Sequence, residues 1–253
     1  MKSLKYMLFI AVLAFAASCS KQSNSTMGSS APDRAGGTGV GGSLARFTIA
    51  QNHLYVVDDM KLHTYSLANP SAPQLTHTQI LGEDIETIYS YKDKLFIGSM
   101  NAMYIYSISD ASHPSKLGTA SHVRTCDPVV ADDTVAYVTV RSGNSCGGSL
   151  NAMYVYDVKQ VLSPKERNVI NIETPWGLGM AGNTLFVCTG SNGLQIYDIS
   201  NRYQPKLIGQ KYDDTYYDVI PYGNMLICMV QGGTLLYELK PDGQIIKLAK
   251  ISS

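Results

Sequence analysis

The chain has no surplus of charge. Twenty Lys and Arg balance twenty Asp and Glu, and only 16% of its 253 residues are charged. A nucleic-acid binder needs a basic surface to displace counterions, so that class is excluded. Tryptophan occurs once and phenylalanine five times. Beyond the N-terminus no segment sustains apolar spacing at three and four residues, which excludes helical bundles and helical solenoids. The cysteines show no C-x-x-C spacing, no two of the five histidines stand four apart, and H-E-x-x-H is missing. The usual linear signatures of zinc are therefore absent. There is no G-x-S-x-G elbow and no phosphate loop. Gly37-Thr-Gly-Val-Gly-Gly42 matches G-x-G-x-x-G in letters, but no strand precedes it and no βαβ unit surrounds it. No motif asks for a cofactor or a metal. What is present is 45% hydrophobic residues, 17 Tyr, 22 Gly and 10 Pro, a mixture that suits a turn-rich β protein with a substantial core.

The N-terminus carries an address. Lys2 and Lys5 precede an apolar run from Tyr6 to Ala17, short for a bilayer span. Ala16-Ala-Ser18 then leads to Cys19. This resembles the lipobox of bacterial lipoproteins, with Ala16 where Leu is commonest. The resemblance implies a signal peptide over 1–18 and lipidation of Cys19, whose sulfur would carry a diacylglycerol. The chain is then expected to be exported and held at the cell envelope, at the outer membrane, with the leaflet open. Its membrane partner is reached through lipid alone, at ~0.8 kcal/mol per buried methylene. Loss of Lys2 and Lys5 leaves 18 basic against 20 acidic residues, net −2, which gives no pull toward anionic lipid. Residues 19–43 read as a tether: half of Ser20 to Ser43 is Gly or Ser, and only Met27 and Val40 are large and apolar.

From Leu44 the chain repeats. Asn101-Ala-Met-Tyr-Ile-Tyr106 recurs as Asn151-Ala-Met-Tyr-Val-Tyr156. Leu54, Leu95, Ala136, Leu185 and Leu226 hold one repeat position, and Tyr65, Tyr106, Tyr156, Tyr197 and Tyr237 another. The period is about 41 residues, lengthened once by an insertion around Arg141 to Ser149. Each unit reads as four short alternating strands punctuated by Asn, Asp, Gly and Pro. Four strands per 40-residue unit predicts an all-β, five-bladed β-propeller over 44–253, each blade of four antiparallel strands. Asn192-Gly-Leu-Gln-Ile-Tyr-Asp-Ile-Ser-Asn-Arg-Tyr-Gln-Pro-Lys-Leu-Ile-Gly209 resembles the LVIVD repeat of bacterial and archaeal cell-surface proteins. Leu54-Tyr-Val-Val-Asp58 and Ile108-Ser-Asp-Ala-Ser-His-Pro114 fit it as well, whereas Glu238-Leu-Lys-Pro-Asp-Gly243 departs from it. The resemblance implies a propeller at the cell surface and no particular chemistry.

Blade geometry converts the repeat into a site map. The links between blades and the loops between second and third strands emerge on one face. There the aligned starts of the inner strands form a column of Ala45, Glu86, Asp127, Trp176 and Tyr217, followed by Arg46, Thr87, Pro128, Gly177 and Asp218. The next column, Phe47, Ile88, Val129, Leu178 and Val219, is uniformly apolar and predicts core. Arg46, Glu86, Asp127, Trp176, Tyr217 and Asp218 are thus candidate contacts for a glycan, peptide or protein at the channel mouth. Cys126 and Cys146 fall on the same face, and in an oxidising compartment their bridge would close a loop of about 20 residues, worth roughly 3 kcal/mol on the chain-entropy model. Cys188 and Cys228 sit in apolar strands and read as buried thiols. The first and last blades each carry four strands of their own, so no exchanged strand is expected and the mode of ring closure stays open. The leading expectation is a non-catalytic binding or interaction module. An envelope glycan hydrolase or lyase using Glu86, Asp127 or Asp218, and a structural scaffold of an envelope complex, are the alternatives. A mouth closed by the protein itself, with an apolar patch on a blade edge, would favour the scaffold.

Overall fold

The computed structural model describes residues 41–121, 128–143 and 148–252, and these form five four-stranded antiparallel sheets in chain order. Blade 1 holds β1 (Phe47–Ala50), β2 (His53–Val57), β3 (Lys61–Ser66) and β4 (Gln74–Ile80). Blade 2 holds β5 (Ile85–Tyr91), β6 (Lys94–Ser99), β7 (Ala102–Ser107) and β8 (Ser115–Ser121). Blade 3 holds β9 (Val129–Ala131), β10 (Val135–Val140), β11 (Ala152–Asp157) and β12 (Lys165–Asn171). Blade 4 holds β13 (Leu178–Ala181), β14 (Thr184–Cys188), β15 (Leu194–Asp198) and β16 (Lys206–Lys211). Blade 5 holds β17 (Tyr216–Tyr222), β18 (Met225–Val230), β19 (Gly233–Leu239) and β20 (Ile245–Ser252). The five-bladed propeller is as expected, and no strand is exchanged between the first and last blades.

The repeat positions are cross-strand partners. Leu54 faces Tyr65, Leu95 faces Tyr106, Ala136 faces Tyr156, Leu185 faces Tyr197 and Leu226 faces Tyr237. Just before each of these tyrosines the register with the outer strand slips by one residue, in every blade. Such a bulge bends and twists the outer strand, which keeps exposed edges from pairing with other chains. Turn carboxylates serve the backbone: Asp58 accepts the N–H groups of Met60 and Lys61, and Asp132 those of Thr134 and Val135. Tyrosine hydroxyls stitch one blade to the next: Tyr55 donates to Ala111 O at 2.8 Å and Tyr137 to Arg202 O at 2.7 Å.

The core is a set of slabs between blades. Each sheet has a leading face toward the next blade and a trailing face toward the previous one. Four apolar clusters fill the seams 1/2, 2/3, 3/4 and 4/5. No fifth cluster lies between blades 5 and 1 among the described residues. The apolar column shows the consequence. Ile88, Val129, Leu178 and Val219 are 0–1% exposed, but Phe47 is 57% exposed. Phe47 corrects the expectation that this column is core throughout: its four equivalents each pack on a preceding blade, whereas no apolar cluster covers Phe47 among the described residues. Inner strands β1, β5, β9, β13 and β17 pack in that succession, but β17 does not pack on β1 as the others do.

Candidate functional site

The channel mouth is occupied by the protein's own lead-in segment. Gly42 to Ala45 form a turn closed by Ala45 N–H on Gly42 O at 3.0 Å. Ser43 is buried at its tip and reaches blades 4 and 5 together: its hydroxyl donates to Asp218 Oδ1 at 3.2 Å and accepts Leu178 N–H at 2.7 Å. Asp218 also accepts the N–H groups of Val219, Ser43 and Leu44. On the far side, Ala45 O accepts Ile88 N–H from blade 2 at 2.9 Å. Two glycines permit this approach, since a Cβ on Gly42 or Gly177 would fall inside the Asp218 carboxylate. Among the described residues the first and last blades are therefore joined through this side-chain clasp, which answers the closure that the sequence left open.

Asp218 is consequently not a free mouth carboxylate. It is 4% exposed, and burial pushes its carboxyl up to about 6, opposed by the bonds from Val219, Ser43 and Leu44. The other candidates lie around the clasp. Arg46 donates to Ile85 O and pairs with Asp59, both at 2.7 Å. Glu86 is half-buried in β5. Trp176 and Tyr217 meet edge to face with centroids 5.1 Å apart, and Gly177 N–H donates to Tyr217 O at 2.9 Å. Sequence reasoning passed over Arg141, whose guanidinium lies 3.7 Å from the Trp176 ring centre. It stands at the head of the insertion, outside any aligned column. Sequence reasoning also passed over Ser43, whose partner is 175 positions away and whose neighbours read as linker. Asp127, Cys126 and Cys146, and with them the expected disulfide, lie outside the described residues, as does Cys19.

Elsewhere several polar groups of the described residues serve structure. A groove of about 660 Å³ lies between blades 4 and 5, lined by Asn183, Thr184, Asp198, Ser200, Asn224 and Lys240. Its Asp198 is held below the ordinary carboxylate range by bonds from the Ser200 hydroxyl and N–H, so it is no poised acid. In blade 5, Asp213 accepts the Tyr216 hydroxyl at 2.6 Å and pairs with Lys247 at 3.3 Å. Cys188 and Cys228 are buried free thiols; burial raises Cys188 well above its ordinary value and Cys228 to about 12. Both should resist iodoacetamide at pH 8 in the folded chain and react only in denaturant, as mass spectrometry of labelled peptides would show.

The comparisons agree with this architecture. The LVIVD repeat model matches residues 176–214, which run from Trp176 through blade 4 to the threshold of β17. None of the curated proteins matches the chain in sequence. Among solved structures, a functionally unknown protein from Desulfotomaculum acetoxidans superposes with a TM-score of 0.66 at 10% identity, covering 85% of this chain and 69% of its own. A protein from Lactobacillus plantarum gives 0.61 at 14%, covering 80% and 68%. The periplasmic gluconolactonase of Pseudomonas aeruginosa gives 0.60 at 12%, covering 79% and 67%. At these identities the likeness is one of fold. The chain is thus a five-bladed, all-β propeller that carries an LVIVD repeat in its fourth blade.

Proposed function

We propose that this chain is a non-catalytic interaction module of the LVIVD-repeat family, exported and tethered to the cell envelope through lipid on Cys19. The observation that carries the non-catalytic part is the fate of the mouth. Among the described residues its strongly buried carboxylate, Asp218, is surrounded by donors from the chain's own Ser43, Leu44 and Val219, with the Gly42–Ala45 turn packed against it. Trp176 is also engaged, with Arg141 against its ring and Tyr217 at its edge. Both features support a self-closed mouth, and with the exposed apolar side chains on blades 1 and 5 they favour the scaffold form of that interaction role, in which the module holds proteins together at the envelope.

Two experiments test this reading. Labelled palmitate should enter the wild-type chain in bacterial cells and be lost in Cys19→Ser, with the variant recovered from the soluble envelope fraction; incorporation that persists would contradict the anchor. The purified full-length chain should show no turnover on a panel of glycans and sugar lactones. Turnover that disappears in Asp218→Asn would overturn the non-catalytic assignment.

A further inference from the structure

Among the described residues, blades 1 and 5 each present a face with no apolar cluster against it. At the trailing positions of blades 2 to 5, Leu95, Ile97, Ala136, Val138, Leu185, Val187, Leu226 and Cys228 are all fully buried. Their equivalents in blade 1, Leu54 and Val56, are only half-buried, and so is Tyr65 beside Leu54. At the leading positions of blades 1 to 4, Tyr55, Phe96, Tyr137 and Phe186 are fully buried. In blade 5 the equivalent Ile227 and its cross-strand neighbours Ile220 and Leu236 are half-buried, and Met229 on the same face is 53% exposed. Among the described residues no apolar cluster joins these two faces, and blade 1 reaches blade 5 through the Gly42–Ala45 turn against Asp218.

We propose that copies of this chain associate head to tail across this seam, the leading face of blade 5 in one copy packing on the trailing face of blade 1 in the next. This deepens the interaction-module reading and rests on it. The occupant is argued from the repeat itself. What fits a trailing face of this sequence is a leading face of this sequence, as four filled seams demonstrate, and blade 5 carries one unused. The chain's own tether is excluded by composition, since residues 20–40 offer only Met27 and Val40 as large apolar side chains. At ~4.8 Å between strands and ~3.4 Å per residue, a four-stranded face six residues deep measures roughly 20 by 20 Å. Two such faces cover roughly 800 Å² of footprint, the size of a weak, transient contact, so the association is reversible. A contact between unlike faces is heterologous, so it extends into chains or closes into a ring.

The test is sedimentation of the full-length chain in neutral detergent over a thousandfold concentration range. Wild type should self-associate reversibly. Phe47→Glu spoils the blade 1 face and Met229→Glu the blade 5 face, both at positions more than half exposed, so folding should survive and a circular-dichroism melt checks it. Each variant alone should be monomeric, its association midpoint raised more than tenfold. Mixed in equal amounts they should form a dimer and nothing larger, because one intact face of each kind remains. If Phe47→Glu fails to fold, Phe47→Ser takes its place. A wild type that stays monomeric throughout, or an assembly that survives both variants, would overturn the proposal. So would a seam filled only by a foreign protein. None of these results would touch the palmitate and turnover tests, so failure here is distinguishable from failure of the module reading.

Discussion

Asp218→Ala should lower the stability of the propeller by about 2 kcal/mol at pH 7, because it leaves the N–H groups of buried Val219 and Ser43, the Leu44 N–H and the Ser43 hydroxyl short of their acceptor. The loss should be larger in acid, and the sign follows from linkage. In the unfolded chain this carboxyl titrates near 3.8, whereas burial in the folded chain raises it to about 6. Between those values the folded state holds a proton that the unfolded state has released. The contribution of Asp218 is therefore fully present below about pH 4, declines as pH rises toward 6, and is flat above. A shift of this size corresponds to about 3 kcal/mol across the window. Urea unfolding at half-unit intervals from pH 4 to pH 8 would measure it, with the difference between wild type and variant isolating this group. Carboxylates such as Asp58 and Asp213, whose folded values are lowered, change stability in the opposite sense but contribute equally to both proteins. A difference curve that is flat across the window would show that Asp218 is hydrated and the clasp absent.

The second large effect contrasts two leucines at the same repeat position. Leu185 on the trailing face of blade 4 is fully buried against blade 3, so Leu185→Ala should cost about 3–4 kcal/mol, the transfer term plus the cavity it leaves. Leu54 on the trailing face of blade 1 is half-buried with no blade against it, so Leu54→Ala should cost about 1 kcal/mol. Denaturant midpoints at a common slope would compare them. Equal costs would mean that the fifth seam is as tightly packed as the other four.

These two predictions divide what was legible in the sequence from what was not. The repeat identified cross-strand partners in all five blades, Leu with Tyr in four and Ala136 with Tyr156 in the third, because pairing within a blade joins residues 11 to 20 positions apart and leaves a period-two imprint. Turn carboxylates were legible for the same local reason. Seam packing was not. Phe47 has the same apolar character as Ile88 or Leu178, and nothing in a residue's own letter tells whether a neighbouring sheet lies against it. The clasp was hidden by composition: Gly41-Gly-Ser43 reads as linker until Asp218 supplies a partner. Asp218 itself was legible as a candidate at the start of an inner strand, but its burial against Ser43 was not. Trp176 and Tyr217 did come together as the blade alignment expected, and the extra member of that group, Arg141, sits in the one unit where the alignment breaks.

The central claim is that blades 5 and 1 flank an unfilled seam while the other four seams are closed. Thiol labelling of the full-length chain with Val56→Cys, compared with Val187→Cys at the equivalent position of blade 4, tests it most directly. Below the concentration at which copies associate, Val56→Cys should label at least tenfold faster than Val187→Cys, over the background of the parent chain. Equal protection of the two positions in the isolated monomer would show a sealed ring and contradict the account.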